Sequence, residues 1–154
     1  MIDSVRNLLI TDHLNRQLLN DLYALNIQRG RDHGIQDYNT IRGLLGYGKI
    51  GNFLQLGNDI NSSQQLSSVY SSPNHLDLFV GIVCESGQSN AVLGKVGATI
   101  VADQFKKVRD GDRFWYERLL PKKVIKNIKN ITLGDIIRWN TNVRDLQKDV
   151  FKMA

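Results

Sequence analysis

The sequence predicts a mainly α fold, with an irregular arrangement of several helices. Apolar residues recur at steps of three and four along most of the chain, which places them on one face of a helix. Glycines and residues that cap helices stand where these periodic stretches stop. No long section alternates apolar and polar residues as strands do, and the sequence has no heptad pattern or internal repeat.

The first periodic stretch covers residues 5–25, where leucines and one valine follow the helical spacing. Asn20 or Asp21 can cap the helix that follows, because both residue types accept hydrogen bonds from the free N–H groups of a first turn. Gly30 and Gly34 are expected to interrupt this helix, since glycine favours turns over helix interiors.

Short elements are predicted in the middle of the chain. Residues 38–45 suggest a short helix that glycines close, beginning with Gly46. Residues 58–72 are polar and rich in serine, which predicts a loop around one helical turn at residues 64–69. A short apolar helix is expected to start at Leu78.

Two further helices are predicted in the second half of the chain. An amphipathic helix ends at Asp110 and Gly111, and its apolar face is predicted to be core. That face consists of Val96, Ile100, Val101, Gln104, Phe105 and Val108. Thr132 and Asp135 form a variant of the capping box, with Asp in place of the usual Glu or Gln, and introduce the last helix.

Composition indicates enough chain for one globular domain. The 154 residues are 42% apolar and 23% charged, which is sufficient to bury a core. If the chain is a piece of a larger domain, some apolar helix faces lack their partners and should be exposed or associate. Cys84 is the single cysteine, so the sequence excludes an internal disulfide, a Cys-x-x-Cys pair and a thiolate metal site.

The net charge of +5 comes from 20 basic and 15 acidic residues, and much of the excess lies in residues 121–129. This stretch could touch phosphates, but it lacks the interleaved aromatic residues of a nucleic-acid surface. Its apolar residues suggest the buried side of a short helix whose lysines face solvent. A nucleic-acid partner is therefore disfavoured, and no apolar run is long enough to cross a membrane.

An unusual concentration of polar groups begins at residue 25. Residues 25–34 read LNIQRGRDHG, and Tyr38, Asn39 and Arg42 follow. Buried polar groups need partners, so this cluster is typical of one face of a site that holds an anionic or hydrogen-bonding ligand.

Asn26 and Arg29 are the candidate binding residues within this cluster. A spacing of three places them on adjacent turns of the same helix face, so both point into one volume. The alternative is that Asn26 bridges backbone groups and that Arg29 makes a surface ion pair, which would contribute little stability.

Three motifs resemble those of the animal-type haem peroxidases, the family of myeloperoxidase, peroxidasin and peroxinectin. Residues 25–42 are similar to the family pattern LNIQRxRDHGxxxYNxxR, and residues 104–117, which read QFKKVRDGDRFWYE, resemble a second pattern. Residues 132–151 are similar to the stretch in which the catalytic domain ends. The resemblance runs from Asp21 onward and implies that residues 1–154 are the C-terminal part of that domain, with an incomplete set of its helices.

This resemblance implies haem as the cofactor. The family residue that matches Asn26 hydrogen-bonds the ring N–H of the axial histidine, and the one that matches Arg29 pairs with a haem propionate. In the family the axial and distal histidines lie upstream of the first motif, and His13, His33 and His75 do not match them. The chain is expected to hold the proximal-side scaffold, with no catalytic residue and no metal ligand of its own.

Other polar groups in the motifs are predicted to be scaffold. Arg31, Asp32 and His33 are expected to form a buried hydrogen-bonded knot that anchors the loop after the helix, rather than a proton relay. Residues 109–113 suggest a charged turn with paired acids and guanidinium groups, above three packed aromatic residues. Glu117 is expected to be solvated or ion-paired.

The function that the resemblance implies is hydrogen-peroxide-dependent oxidation of small organic or halide donors at haem, once the N-terminal part of the domain is present. The isolated chain is expected to be inactive, and the alternative is a non-catalytic remnant or binding module without haem. The resemblance implies an extracellular location, although residues 1–10 lack the apolar run of a signal peptide. Asn61 and Asn130 stand in acceptor tripeptides for N-glycosylation, which would be used only after secretion.

Overall fold

The computed structural model describes, with side chains from residue 21 onward, residues 8–11, 17–57, 59–87, 91–147 and 149–150. The chain divides into two compact units, with the boundary between Ser86 and Gly87. Helices dominate both units, so the predicted mainly α fold class is confirmed.

Two short strands precede the helices of the first unit. β1 (Leu8–Thr11) pairs antiparallel with β2 (Gln17–Asn20), and Leu8 lies opposite Asn20. The helical interpretation of these residues is therefore wrong. Short apolar runs fit a strand as well as a helix, and periodicity alone does not separate the two. The rest of that prediction, at residues 5–7 and 12–16, lies outside the described residues.

α1 (Leu22–Asp32) carries the first motif. Asp21 caps it, because a carboxylate oxygen of Asp21 accepts from the backbone N–H of Ala24 at 3.0 Å. The helix runs through Gly30, so the predicted interruption there is wrong; this glycine adopts helical geometry with open space beside it. The helix ends before Gly34, whose left-handed φ of 64° favours glycine.

α2 (Tyr38–Leu44) confirms the predicted short helix. The carboxylate of Asp37 caps it by accepting from the backbone N–H of Thr40 at 2.9 Å. Gly46 follows with a φ of 79°, which a glycine allows without strain. A 3₁₀ turn (Phe53–Leu56) continues the chain.

α3 (Ile60–Val69) includes the helical turn that is predicted at residues 64–69, but it begins at Ile60, so the predicted loop is wrong for residues 60–63. Asp59 starts the helix, because its side chain accepts from the backbone N–H of Ser62 at 2.8 Å. Leu66 is buried and holds one face of the helix against the unit. The cap and this contact stabilise the helix although its sequence is polar.

α4 (Leu78–Cys84) confirms the predicted apolar helix, and a 3₁₀ turn (Pro73–His75) precedes it. α4 packs on α2 through Gly81, which lies against the ring of Tyr38. Among residues 21–57 and 59–86, the buried large apolar side chains are Tyr38, Ile50, Phe53, Leu56, Leu66 and Leu76.

Four helices form the described part of the second unit. They are α5 (Lys95–Gly111), α6 (Tyr116–Leu119), α7 (Lys122–Ile128) and α8 (Leu133–Asn140). The predicted capping box of α8 is confirmed. The N–H of Thr132 donates to the carboxylate of Asp135 at 2.9 Å, and the N–H of Asp135 donates to the hydroxyl of Thr132 at 3.2 Å.

The apolar face of α5 is exposed for most of its length. Val96 is buried, but Val101, Phe105 and Val108 are 42%, 72% and 57% exposed. The prediction that this face is core is therefore wrong for the described part of the chain, because nothing there covers it. On the side of α7 that is predicted to be buried, Ile125 and Ile128 are partly buried, and Val124 is 40% exposed.

α5 is the longest described helix, with 17 residues. No helix among residues 21–57, 59–87 and 91–147 combines the length and the apolar character that crossing a bilayer requires.

Candidate functional site

A cavity of about 600 Å³ lies beside α1 and α4 in the first unit. Its wall is mostly apolar, and the apolar lining residues are Ile27, Ile35, Leu78, Phe79 and Ile82. The ring of Phe79 also packs against Tyr23, with the ring centroids 5.7 Å apart. Four lining residues add polar groups, and they are Asn26, Arg29, His33 and Asp77.

Asn26 and Arg29 lie on one face of α1 and line this cavity together. The guanidinium Nη2 atom of Arg29 donates to Oδ1 of Asn26, so the two side chains converge as their spacing of three predicted. Within the described ranges, the guanidinium of Arg29 pairs with no carboxylate. The structure brings the two candidate residues together, and their roles toward a cofactor stay predictions.

Arg31 binds Asp77, the residue that precedes α4. Its Nε and Nη2 atoms donate to the two carboxylate oxygens at 3.0 and 2.7 Å, and the hydroxyl of Tyr70 donates to Oδ2 at 2.7 Å. The hydrogen bond from Arg31 holds the pKa of the Asp77 carboxyl below its usual range, and Tyr70 adds to this effect. Burial, and then the carboxylate, raises the pKa of Tyr70 to about 12, so its hydroxyl remains a donor at neutral pH.

The predicted buried knot of Arg31, Asp32 and His33 is wrong. The side chain of Arg31 is 58% exposed, Asp32 accepts from Nε2 of Gln28 at 2.7 Å, and His33 lines the cavity. Consecutive residues of a helix point in different directions, so these three side chains diverge.

Asn39 links two segments of the chain, at Ile50 and Asn74, within the core of the first unit. It is fully buried, and its Nδ2 atom donates to the Ile50 carbonyl at 2.9 Å and to Oδ1 of Asn74 at 2.8 Å. Its Oδ1 atom accepts from the Ile50 N–H at 3.0 Å. The amide therefore finds partners inside the protein and does not line the cavity.

Tyr38 and Arg42 form another internal network. The Nη1 atom of Arg42 donates to the hydroxyl oxygen of Tyr38 at 3.1 Å and to the carboxylate of Glu85 at 3.3 Å. Burial, and then Glu85, raises the pKa of Tyr38 to about 12. The polar cluster of the first motif is thus divided between the cavity and the interior packing of α2.

The second motif forms the predicted charged turn, in the second unit. Arg109 pairs with Asp110 at 2.9 Å. The guanidinium of Arg118 donates to the carbonyls of Asp110 and Asp112 at 2.7 and 2.8 Å, which fixes the backbone of the turn. These contacts agree with a scaffold role.

The aromatic residues after this turn are less buried than predicted. Phe114 is 64% exposed. Trp115 packs on Tyr116 with ring centroids 4.8 Å apart. Glu117 pairs with Lys129 at 2.5 Å, so the prediction of a solvated or ion-paired carboxylate is confirmed.

In the part of the chain that the structure describes, no group of three or more His, Cys, Asp or Glu residues could hold a metal ion. Nδ1 of His75 is hydrogen-bonded to the hydroxyl of Ser71 at 2.8 Å, and His13 lies outside the described residues. Burial raises the pKa of the Cys84 thiol, which makes it a poor nucleophile at neutral pH.

α4 supplies Leu78, Phe79 and Ile82 to the cavity wall, and this contribution is not predicted from the sequence. The available signal was local, because Leu78 and Ile82 are four residues apart on one face of an apolar helix. Arg31 and Asp77 are 46 positions apart, and no pattern in the sequence shows that their helices meet.

Comparison with known sequences gives consistent matches. The sequence profile of the animal haem peroxidase family matches residues 1–151. A peroxidasin homologue of Caenorhabditis elegans is 39% identical over 158 residues, which cover 97% of this chain and 12% of the homologue. Eosinophil peroxidase of Homo sapiens is 32% identical over 160 residues, which cover 99% of this chain and 22% of that protein.

The solved structure of peroxidase A from Dictyostelium discoideum is similar to this chain with a TM-score of 0.73 and 31% sequence identity. The match covers 88% of this chain and 27% of that structure. The chain therefore spans 12% to 27% of the length of these three relatives.

Proposed function

Because the chain belongs to the animal haem peroxidase family, we propose that residues 1–154 supply the proximal side of a haem site as the C-terminal part of a peroxidase domain. The observation that carries the proposal is the convergence of Asn26 and Arg29 on one largely apolar cavity. Other parts of the domain supply the axial ligand and the distal acid–base groups.

The cavity suits the chemistry of haem. A porphyrin is a flat apolar ring with two carboxylates at one edge, and it needs an apolar wall with cationic donors beside it. Leu78, Phe79 and Ile82 provide such a wall on α4, and Arg29 provides a guanidinium on α1. The residues present therefore fit the group.

Arg29 is the proposed partner of a haem propionate. Its side chain is exposed at the cavity and has several N–H donors, of which one donates to Asn26. A planar guanidinium can bind a carboxylate through two parallel hydrogen bonds, which the ammonium of a lysine cannot reproduce.

Asn26 is the proposed partner of the axial imidazole. An amide oxygen has two lone pairs, so Oδ1 can accept from Arg29 and from an imidazole N–H at once. Such a contact fixes the orientation of the ring and increases its basicity toward iron. Asn26 is thus a positioning residue and moves no proton.

The bound haem supplies the iron at which hydrogen peroxide is reduced and a small organic or halide donor is oxidised. The residues of this chain bind and orient the cofactor. We therefore expect the 154-residue chain to bind haem without peroxidase turnover. From its membership of the family, we also propose that it acts in an extracellular protein.

Titration of the purified chain with haemin, followed at the Soret band, tests the proposal. We expect saturable binding that Arg29→Ala weakens by about tenfold or more, since a hydrogen bond between charged groups contributes about 1.5–3 kcal/mol. Arg29→Lys should recover only part of the loss. Arg109→Ala, which removes a guanidinium from the second unit, is the matched control and should bind as the wild type does.

Two results of this titration would contradict the proposal. Binding that is equally tight in the wild type and in Arg29→Ala would place the haem elsewhere on the chain. The absence of a Soret shift at saturating haemin would favour the alternative, a haem-free binding module.

A further inference from the structure

A carboxylate in the cavity wall conflicts with the binding of an anionic ligand. Asp77 lines the same cavity as Arg29, and its side chain is 17% exposed. A bare carboxylate there would repel the carboxylates of a porphyrin, and partial burial strengthens such repulsion because water screens it less.

Arg31 compensates this charge from outside the lining. Both of its hydrogen bonds to Asp77 are charge-assisted, at 3.0 and 2.7 Å, and they occupy one site on each carboxylate oxygen. Tyr70 occupies a further site on Oδ2. The side chain of Arg31 is 58% exposed and is not among the lining residues, so it influences a ligand by offsetting the charge of Asp77.

We propose that Arg31 determines specificity by masking Asp77, so that the cavity accepts a carboxylate-bearing apolar ligand. The proposal rests on the proposed function for the identity of that ligand, haem. When Arg31 neutralises Asp77, the positive charge of Arg29 remains uncompensated. The cavity wall is then positive where a carboxylate must bind. Without Arg31, the charges of Asp77 and Arg29 cancel and the preference for an anion is lost.

A purely mechanical role of Arg31, as a clamp between α1 and α4, makes a different prediction. Both roles predict weaker ligand binding when Arg31 is removed. Only masking predicts that the removal of the Asp77 charge restores binding. Removing Asp77 as well as Arg31 does not restore the contact between α1 and α4.

The test compares the wild type with Arg31→Ala, Asp77→Asn and the double variant by haemin titration. Asparagine keeps the shape of Asp77 and also suits a helix N-cap, while alanine favours the helix that contains Arg31. We expect Arg31→Ala to bind haemin about tenfold more weakly, and the double variant to recover to within about threefold of the wild type. Arg109→Ala is the control for the loss of a guanidinium elsewhere.

Recovery of haemin binding in the double variant supports masking. A double variant that binds as weakly as Arg31→Ala overturns it. If Arg31→Ala does not fold, Asp77→Asn alone distinguishes the two roles of Arg31. Masking predicts that this variant binds haemin about threefold more tightly than the wild type, whereas a mechanical role predicts weaker binding.

A second probe separates this inference from the proposed haem function. The dye 8-anilinonaphthalene-1-sulfonate is apolar and anionic, and its fluorescence reports binding. Arg31→Ala and the double variant differ only at Asp77, so sites elsewhere contribute equally to both. Masking predicts stronger dye binding in the double variant, and equal binding overturns it. Failure of haemin to bind any variant would refute the haem function alone.

Discussion

Asn26 and Asn39 are asparagines of one sequence motif in opposite surroundings. Asn39 is fully buried, and its amide makes three hydrogen bonds that hold Ile50 and Asn74. Asn26 lines the cavity, where its Oδ1 atom accepts from Arg29. The residue type is the same, and only the position in the fold distinguishes an amide that joins two chain segments from one that lines a cavity.

Asp77 should make the stability of the protein depend on pH in the acid range. Arg31 lowers its pKa in the folded chain, so the ionised carboxyl stabilises the fold above the unfolded-state pKa of about 4. This contribution is lost as the pH falls through the folded-state pKa. We expect the free energy of unfolding, measured with urea between pH 6 and pH 3, to fall less steeply in Asp77→Asn than in the wild type.

Arg31→Ala should flatten the same pH profile, since it removes the main cause of the lowered pKa. A profile that is unchanged in both variants would show that the carboxylate and the guanidinium do not interact in solution.

The local half of the candidate site could be predicted from the sequence. Asn26 and Arg29 share a helix face because the helical repeat is a local property of the backbone. Asp77 and Phe79 could not be predicted, because their place in the wall depends on how α4 packs, which distant side chains decide. His33 was assigned to the wrong surroundings for the same reason.

Helices with clear caps were the elements that the sequence predicted well. Asp21 starts α1, and Thr132 with Asp135 starts α8, and each leaves a recognisable pattern. Only the second half of α3 is predicted, because its serines suggest a loop, whereas its cap at Asp59 and its buried Leu66 stabilise the whole helix.

The contact between α2 and α4 depends on a glycine. A Cβ atom at Gly81 would lie 2.5 Å from Cγ of Tyr38, and Tyr38 is fully buried and cannot move aside. We expect Gly81→Ala to lower the free energy of unfolding by about 1–3 kcal/mol, the usual cost of overpacking a core. Urea unfolding followed by circular dichroism measures the change.

Gly30→Ala is the matched control in α1, where a Cβ atom would meet nothing within 4 Å. Alanine is the better helix former, so this variant should gain about 0.5–1 kcal/mol. Equal stability of the two variants would contradict the close packing of Tyr38 on α4.

Exposed apolar side chains are a property of the whole molecule. Phe105 on α5 and Trp139 on α8 are 72% and 66% exposed. The family relatives are several times longer than this chain, and side chains of this kind are usually covered in a complete domain. The helical periodicity was predictable at α5, but the covering of its face was not, because that depends on what else is present.

We expect the isolated chain to associate with itself as its concentration rises. Phe105→Lys together with Val108→Lys should shift this association to at least about tenfold higher concentration, since burial of one large apolar side chain contributes about 1.5–3 kcal/mol. Sedimentation equilibrium measures the shift. Lys107→Gln, on the same helix, is the control and should change little; a monomeric wild type at all concentrations would refute the prediction.

The distance along the sequence between the two walls of the cavity has a consequence for folding. α2 and α3 lie between α1 and α4 in the sequence. The cavity is therefore present only when this intervening segment is folded around the buried Tyr38. A molecule that binds in this cavity stabilises the folded first unit relative to its unfolded state. Its affinity therefore adds to the resistance of that unit to denaturation, by an amount that grows with the concentration of the bound molecule.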